Sequence, residues 1–181
     1  MHDSFGSGAW DAAQAVELAS AARWDVTRIT GWLSVGGLIE DDEEAAWLRD
    51  NGVTHVINVA AELDDALLCA THDFGYYHVR WPDDGTAKPT HDFLEALAWL
   101  ADAEAALAEQ GRRLHVLLHC VAGAYRSPLL ATFLLAAREG LSARAAYALL
   151  RERRPTVSCF EERAYRRSCF DAVEAARAQA R

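Results

Sequence analysis

The sequence has no apolar run long enough to cross a membrane, and it has almost no lysine. A membrane-spanning helix needs roughly 18 consecutive apolar residues, and none of the 181 positions begins such a run. The first residues also lack the basic start and apolar stretch of a signal peptide. We therefore expect a cytoplasmic protein with no membrane partner. Lys88 is the single lysine among 18 basic residues, and this bias together with the abundant alanine indicates a GC-rich bacterial genome.

Cysteine is also scarce, and its spacing argues against a zinc site. The four cysteines are Cys69, Cys120, Cys159 and Cys169. No two of them form a CxxC pair and no spacing suits a set of zinc ligands, so we predict neither a metal site nor a cofactor. In a reducing cytoplasm these residues stay free thiols, as a catalytic cysteine requires.

Basic residues are outnumbered by acidic ones. The chain carries 27 acidic and 18 basic residues, a formal net charge of −9. Such a surface repels polyanions, so we predict no nucleic-acid partner. The charge is uneven, because residues 1–137 balance to −13 and residues 138–181 to +4. We interpret the basic end as a solvated helix face, and a guide for an anionic substrate is the weaker interpretation.

Strand-like and helix-like segments alternate along the chain. This alternation predicts an α/β domain with a mostly parallel central sheet flanked by helices, over residues 27–177, preceded by a tail and helix at residues 1–26. The helices are expected at 10–23, 43–51, 63–69, 90–109, 128–138, 142–153 and 161–177. The strands are expected at 28–35 (a strand or hairpin), 53–59, 76–81 and 114–118. The expected helix caps are Asp41 or Asp42, Thr90 and Ser142.

Residues 119–127 lie between the buried strand at 114–118 and the buried helix at 128–138. A tight loop at such a junction points successive backbone N–H groups inward, next to the positive end of the helix dipole. That arrangement suits a dianionic phosphate, and Gly123 lets the loop bend close to the ligand. The residues expected to bind phosphate are Val121, Ala122, Gly123, Ala124, Tyr125 and Arg126.

The side chains of this segment suit attack on phosphorus. Cys120 stands at the mouth of the loop, where the same field favours its thiolate, the nucleophilic form. Arg126 can grip two phosphate oxygens in parallel, and Ser127 can donate a hydrogen bond to the departing thiolate. A lone cysteine before a helix is more often a small buried hydrophobe, which is our interpretation of the other three. For Cys120 the arginine and glycine at this spacing favour catalysis.

Cleavage of a phosphate ester also needs a proton for the leaving oxygen, which a carboxylic acid can supply. The candidates are Asp83 and Asp84, where a predicted strand runs through Trp81 and Pro82 into a turn. Ordinary turn chemistry is the alternative interpretation. A loop that carries two acids and can close over a phosphate pocket fits the catalytic interpretation better.

The pattern His119-Cys120-x-x-Gly123-x-x-Arg126-Ser127 resembles the phosphate-loop motif of the dual-specificity (VH1-like) protein phosphatases. The run around it, with an Asp-Asp-Gly loop after a Trp-Pro, is especially similar to the phosphatases of regenerating liver, and the likeness covers about residues 27–173. The resemblance implies a cysteinyl-phosphate intermediate and a buried His119 that orients the loop. By its spacing from the strand, Asp84 matches the family's general acid, and the shortened loop keeps Asp83 as an alternative.

The chain departs from the family pattern at two places. Tyr125 stands where many relatives have serine, which puts a bulkier side chain at the pocket rim. Ala60 and Ala61 stand where some relatives have a second cysteine that protects the nucleophile, so here only Cys69 could do so.

We therefore expect a phosphatase that hydrolyses phosphotyrosine, with phosphoserine and phosphothreonine as further substrates in a phosphorylated protein. The alternatives are a phosphatase for a small phosphate ester, an inactive phosphate-binding interaction module, and a sulfur transferase of the rhodanese type.

Overall fold

The computed structural model describes residues 23–180. The helix predicted at 10–23 lies outside the described residues, except for its last position. Within residues 23–180, no helix is long and apolar enough to span a membrane.

Five strands form one sheet in the order β1-β2-β5-β3-β4. The strands are β1 Val26–Arg28, β2 Leu33–Gly36, β3 His55–Ala60, β4 Gly75–Trp81 and β5 Val116–His119. β1 and β2 pair antiparallel as a hairpin, and the other pairings are parallel. This confirms the mostly parallel sheet. All four residues of β5 are buried, and its apolar residues Val116, Leu117 and Leu118 are as expected for a central strand.

Helices cover both faces of the sheet. The helices are α1 Asp42–Asp50, α2 Ala66–Thr71, α3 Thr90–Glu109, α4 Arg126–Arg138, α5 Ala143–Arg153 and α6 Arg163–Gln179. α1 and α2 cover a smaller apolar cluster that includes Val56 and Leu117. The larger cluster lies on the other face and includes Ile57 and Leu118, with α3 to α6 packed around it. Residues that alternate along β3 and β5 therefore face opposite layers.

The predicted helix starts are right at two positions and wrong at a third. Asp41 caps α1 by accepting a hydrogen bond from the Glu44 N–H at 2.9 Å, and Ser142 caps α5 by accepting one from the Ala145 N–H at 3.1 Å. Thr90 is not a cap, because it is already the first residue of α3. Pro89 takes the cap position in an extended conformation and makes no side-chain capping bond.

The carboxyl ends of the parallel strands meet at one edge of the sheet. β5 ends there at His119 and β3 at Ala60, and Trp81 ends β4 beside Ala60. In α/β sheets this edge is where ligands bind. The segments that follow these three strands therefore lie side by side, although they are far apart in the chain.

Candidate active site

The phosphate loop, residues 119–127, is held by hydrogen bonds to its carbonyl groups. The Val121 carbonyl accepts a hydrogen bond from the Leu38 N–H at 3.0 Å, and the Ala124 carbonyl accepts one from the Ser158 N–H at 2.9 Å. The Gly123 carbonyl accepts a third from Arg154 Nε at 2.9 Å. In a trans peptide the following N–H points the opposite way. Since these carbonyls face neighbouring segments, the next amides turn toward the interior of the loop, a geometry that suits an anion.

Only glycine fits at position 123. Its φ is 61°, in the left-handed region. A Cβ atom there would lie 2.6 Å from the Gly36 carbonyl oxygen and would also collide with the Arg154 guanidinium. The close approach of Arg154 braces the loop, because this arginine also contacts both oxygens of Asp25 at 2.8 Å.

Cys120 lies directly after β5 and is 2 % exposed. The Ser127 hydroxyl, in the first turn of α4, lies 3.3 Å from the Cys120 sulfur and donates a hydrogen bond to it. The other three cysteines are fully buried in the core. Burial raises the pKa of the Cys69 and Cys169 thiols to about 12 and raises the pKa of Cys159 as well. Those three thiols stay protonated at neutral pH, as small buried hydrophobes do.

The Arg126 side chain is 1 % exposed on its side-chain atoms and is oriented by Glu62. The two Glu62 oxygens accept hydrogen bonds from Arg126 Nη1 at 2.7 Å and Nη2 at 2.6 Å, and Nη1 also donates to the Trp81 carbonyl at 3.0 Å. The Nε donor is buried and has no hydrogen-bond partner within residues 23–180. A buried unpaired donor is costly, so this atom is suited to an anion in the loop.

Arg126 and Glu62 each favour the ionised form of the other. Burial alone would lower the pKa of Arg126, but the hydrogen bonds to Glu62 and the nearby charges of Cys120 and Asp83 outweigh it, and the net shift is upward. The hydrogen bonds from Arg126 in turn lower the pKa of Glu62. The Arg126 guanidinium is therefore a permanent positive charge in the phosphate loop.

The acid loop, residues 82–88, orients its two aspartates differently. Asp83 Oδ2 lies 3.3 Å from Arg126 Nη2. The Asp84 carboxylate accepts hydrogen bonds from Lys88 Nζ at 2.8 Å and from the Thr86 N–H and hydroxyl at 2.9 and 2.8 Å. These bonds, the one from Lys88 above all, hold the pKa of Asp84 well below its usual range. These bonds engage the Asp84 carboxylate within its own turn, whereas the Asp83 carboxylate lies beside Arg126.

His119 is buried at the end of β5, next to Cys120. Its Nε2 lies 3.2 Å from Asp65 Oδ2, and that oxygen accepts a hydrogen bond from Asn58 Nδ2 at 2.6 Å. The rim of the phosphate loop is exposed, unlike His119, because Val121 and Tyr125 both reach solvent. Tyr125 is therefore on the surface of the site and not in its floor.

Three residues that the sequence analysis did not single out for the site contact it. Glu62 follows β3, at the edge where the parallel strands end, and that position was the available signal. Lys88 is the single lysine in the sequence, which marks it as unusual but does not indicate its partner. Arg154 reaches the loop from the end of α5, and its contact depends on the tertiary fold alone.

Residues 39–164 match the family described as "Dual specificity phosphatase, catalytic domain". A curated relative is "Protein tyrosine phosphatase PRL-1" of Leishmania major, 33% identical over 110 residues. That match covers 59% of this chain and 62% of the relative, so the chain spans somewhat less than two thirds of the relative's length.

Solved structures share the fold. Tk-PTP in its active form superposes with a TM-score of 0.69 at 22% identity, covering 83% of this chain and 97% of that one. PTPMT1 in complex with PI(5)P gives a TM-score of 0.74 at 16% identity, covering 87% and 99%. Human DUSP28 gives 0.67 at 20% identity, covering 83% and 94%.

Proposed function

This chain belongs to the dual specificity phosphatase family, and we propose that it is a cysteine-dependent phosphatase that hydrolyses phosphotyrosine esters through a cysteinyl-phosphate intermediate on Cys120. The observation that carries the proposal is the arrangement around the sulfur. A loop of inward-turned amides surrounds it, a hydroxyl of Ser127 donates to it, and the unpaired Nε of Arg126 is buried beside it.

In the first step the Cys120 sulfur attacks phosphorus, so that an S–P bond forms while the P–O bond to the leaving group breaks. Negative charge on the three remaining oxygens is stabilised by the loop amides at Val121 to Tyr125 and by Arg126. Such donors act most strongly when they are already in place before the reaction. The bonds from Leu38, Arg154 and Ser158 to the loop carbonyls support that requirement.

The proposal assigns the general acid to Asp83 rather than to Asp84, which the spacing of the motif favours. Asp83 is next to Arg126, the residue that holds the phosphate. The Asp84 carboxylate is engaged by Lys88 and Thr86 within its own turn. Asp83 then protonates the leaving oxygen in the first step.

In the second step water attacks the phosphorus of the cysteinyl phosphate, and Asp83 acts as the base that takes its proton. The S–P bond breaks and the sulfur leaves as a thiolate, which accepts the Ser127 hydrogen bond. Inorganic phosphate is released with the phosphate loop unchanged.

A phosphotyrosine substrate is supported by the depth of the sulfur. Cys120 is 2 % exposed while the rim residues Val121 and Tyr125 are more than a third exposed. A phenolic ester extends further from its peptide backbone than a serine or threonine ester, so it reaches such a recessed atom more readily.

Hydrolysis of p-nitrophenyl phosphate by purified variants tests the proposal. Cys120→Ser should lose activity by a factor on the order of 10⁶, the size seen when a catalytic nucleophile is removed, and vanadate should inhibit the wild type competitively. Asp83→Asn should lower kcat/KM on an aryl phosphate with a poor leaving group by about 10²–10⁴.

Asp84→Asn is the matched control, because its amide oxygen can still accept a hydrogen bond from Lys88, and it should stay within about tenfold of the wild type. Normal turnover by Cys120→Ser would refute the mechanism. A wild type that binds phosphotyrosine peptide without hydrolysing it would instead support a binding module, and sulfur transfer to cyanide would support a rhodanese-type enzyme.

A further inference from the structure

Lys88 is the chain's single lysine, and its side chain is 2 % exposed. A lysine ammonium is seldom buried, because removal from water is costly unless partners compensate for the lost hydration. Its burial within a few residues of the proposed general acid therefore calls for an explanation in terms of those partners.

The partners of Lys88 lie on both sides of Asp83. Its Nζ donates a hydrogen bond to the Pro82 carbonyl and another to Asp84 Oδ1, each at 2.8 Å. One ammonium thus holds the residue before Asp83 and the residue after it. Asp83 itself has a contact with Arg126 Nη2 at 3.3 Å, and its side chain is 57% exposed. Asp83 therefore lies between two residues that Lys88 binds, and its carboxylate is next to Arg126.

Both the main-chain N–H and the ammonium of Lys88 contact residues of α6. The Lys88 N–H donates a hydrogen bond to the Ser168 hydroxyl at 2.9 Å. Its ammonium lies 5.2 Å from the centre of the Tyr165 ring, and that ring is 1 % exposed. A cation facing a buried aromatic ring is stabilised there. The acid loop is in this way tied to a packed helix of the core by one side chain.

We propose that Lys88 is a positioning residue for proton transfer, which holds the acid loop so that Asp83 faces Arg126 and the leaving group. This inference rests on the proposed function, since it requires Asp83 to be the general acid. Without the ammonium, the turn loses both of its ties to Lys88, and the acid moves away while Cys120 and Arg126 keep their places.

The readout that distinguishes this role is the dependence of kcat/KM on the leaving group. An ester of a weakly acidic phenol needs protonation of its leaving oxygen, whereas p-nitrophenol departs readily without it. A misplaced acid therefore slows phenyl phosphate more than p-nitrophenyl phosphate. Displacement of a catalytic group by about 1 Å can cost roughly 10²-fold in rate.

Lys88→Met is the main variant, because methionine fills a similar volume beside Tyr165 without a charge. We expect its kcat/KM to fall about 10²-fold on phenyl phosphate and clearly less on p-nitrophenyl phosphate. Vanadate binding should stay at the wild-type level, because it depends on the phosphate loop. Asp84→Ala removes the carboxylate that accepts from Lys88 and should show the same selective loss of kcat/KM on phenyl phosphate. This second variant keeps the test available if Lys88→Met fails to fold.

Two further variants serve as controls. Asp84→Asn keeps an oxygen that can accept from Lys88, so it should restore most of what Asp84→Ala loses. Ser168→Ala removes the partner of the Lys88 N–H but leaves the ammonium in place, so its leaving-group dependence should lie closer to that of the wild type than to that of Lys88→Met.

The outcomes separate this inference from the proposed function. A steep leaving-group dependence in Asp83→Asn together with a wild-type dependence in Lys88→Met and Asp84→Ala would overturn the role of Lys88 alone. Equal losses on both substrates with loss of vanadate binding would also overturn it, because the role would then be structural. A wild-type dependence in Asp83→Asn would refute the acid assignment and this inference with it.

Discussion

In the phosphate loop, three main-chain carbonyls are bound by donors from three other segments, whereas in the acid loop one ammonium ties the turn down. Exposure follows the same division. Cys120 and Arg126 are at most 2 % exposed, while the side chains of Asp83 and Asp84 are 57% and 41% exposed. The proposed nucleophile therefore lies on a loop whose carbonyls are held by three separate segments, whereas the proposed proton donor lies on an exposed turn held by side-chain contacts.

Because the two loops are held differently, we expect them to respond differently to substitution. Changes in the phosphate loop should affect every substrate, because the amides bind the same phosphoryl group in each of them. Changes in the acid loop should affect substrates according to their leaving groups. The following substitutions test that division, and the largest effect comes first.

Gly123→Ala should break the phosphate loop. The added Cβ would collide with the Gly36 carbonyl and the Arg154 guanidinium at a residue whose φ is 61°. We expect kcat/KM to fall by about 10²–10³ on phenyl and p-nitrophenyl phosphate alike, as for the loss of transition-state donors. Gly31→Ala is the matched control, since a Cβ there meets nothing within 4 Å. A loss confined to phenyl phosphate would contradict the comparison.

Arg154→Met should weaken the brace on the same loop. The Gly123 carbonyl and Asp25 lose their shared partner, which is 6 % exposed. Leaving the buried Gly123 carbonyl unpaired costs about 1–3 kcal/mol, so urea denaturation should show a free energy of unfolding lowered by about that amount. Arg153→Met, on the adjacent exposed residue, should leave stability near the wild-type value. Equal stability of the two variants would show that Arg154 does not brace the loop.

The smallest effect is expected from the pH dependence of stability at the acid loop. Lys88 and Thr86 lower the pKa of Asp84 in the folded state. The ionised Asp84 carboxylate therefore stabilises the folded state at pH values above its pKa in the unfolded chain, which is about 3.9. This stabilisation is lost as the pH falls through the lower pKa of the folded state. Thermal unfolding of Asp84→Asn should therefore give a lower Tm than the wild type at pH 7, and the difference should narrow in strong acid. A difference that persists unchanged in strong acid would contradict this assignment.

The fold and the phosphate loop were open to prediction because their signals are local. The central strand β5 contains the apolar run Val116, Leu117 and Leu118, and Ser142 precedes the helix that it caps. The loop motif occupies nine consecutive residues, with Gly123 at the position that demands a positive φ. Signals of this kind depend on neighbouring residues in the sequence and can be recognised there. The mostly parallel sheet around β5 was predicted correctly.

The acid loop depends on contacts that sequence spacing does not reveal. Spacing favoured Asp84 as the acid with Asp83 as the alternative, and this choice stays a prediction. The Asp84 carboxylate is bound by Lys88, whose own N–H is bound by Ser168, 80 positions later in the chain. Glu62 likewise reaches Arg126 across 64 positions. Thr90 was wrong as a cap because Pro89, one residue earlier, already fixes the start of the helix.

The central claim is that the phosphoryl group passes through the sulfur of Cys120. Rapid acid quench of Asp83→Asn during turnover of p-nitrophenyl phosphate, followed by peptide mass spectrometry, tests it directly. The variant lacks the base for the second step, so the account predicts one phosphoryl group on the peptide that contains Cys120, and none in Cys120→Ser. A phosphoryl group on another residue, or an unmodified Cys120 in a variant that still releases p-nitrophenol in a burst, would contradict it.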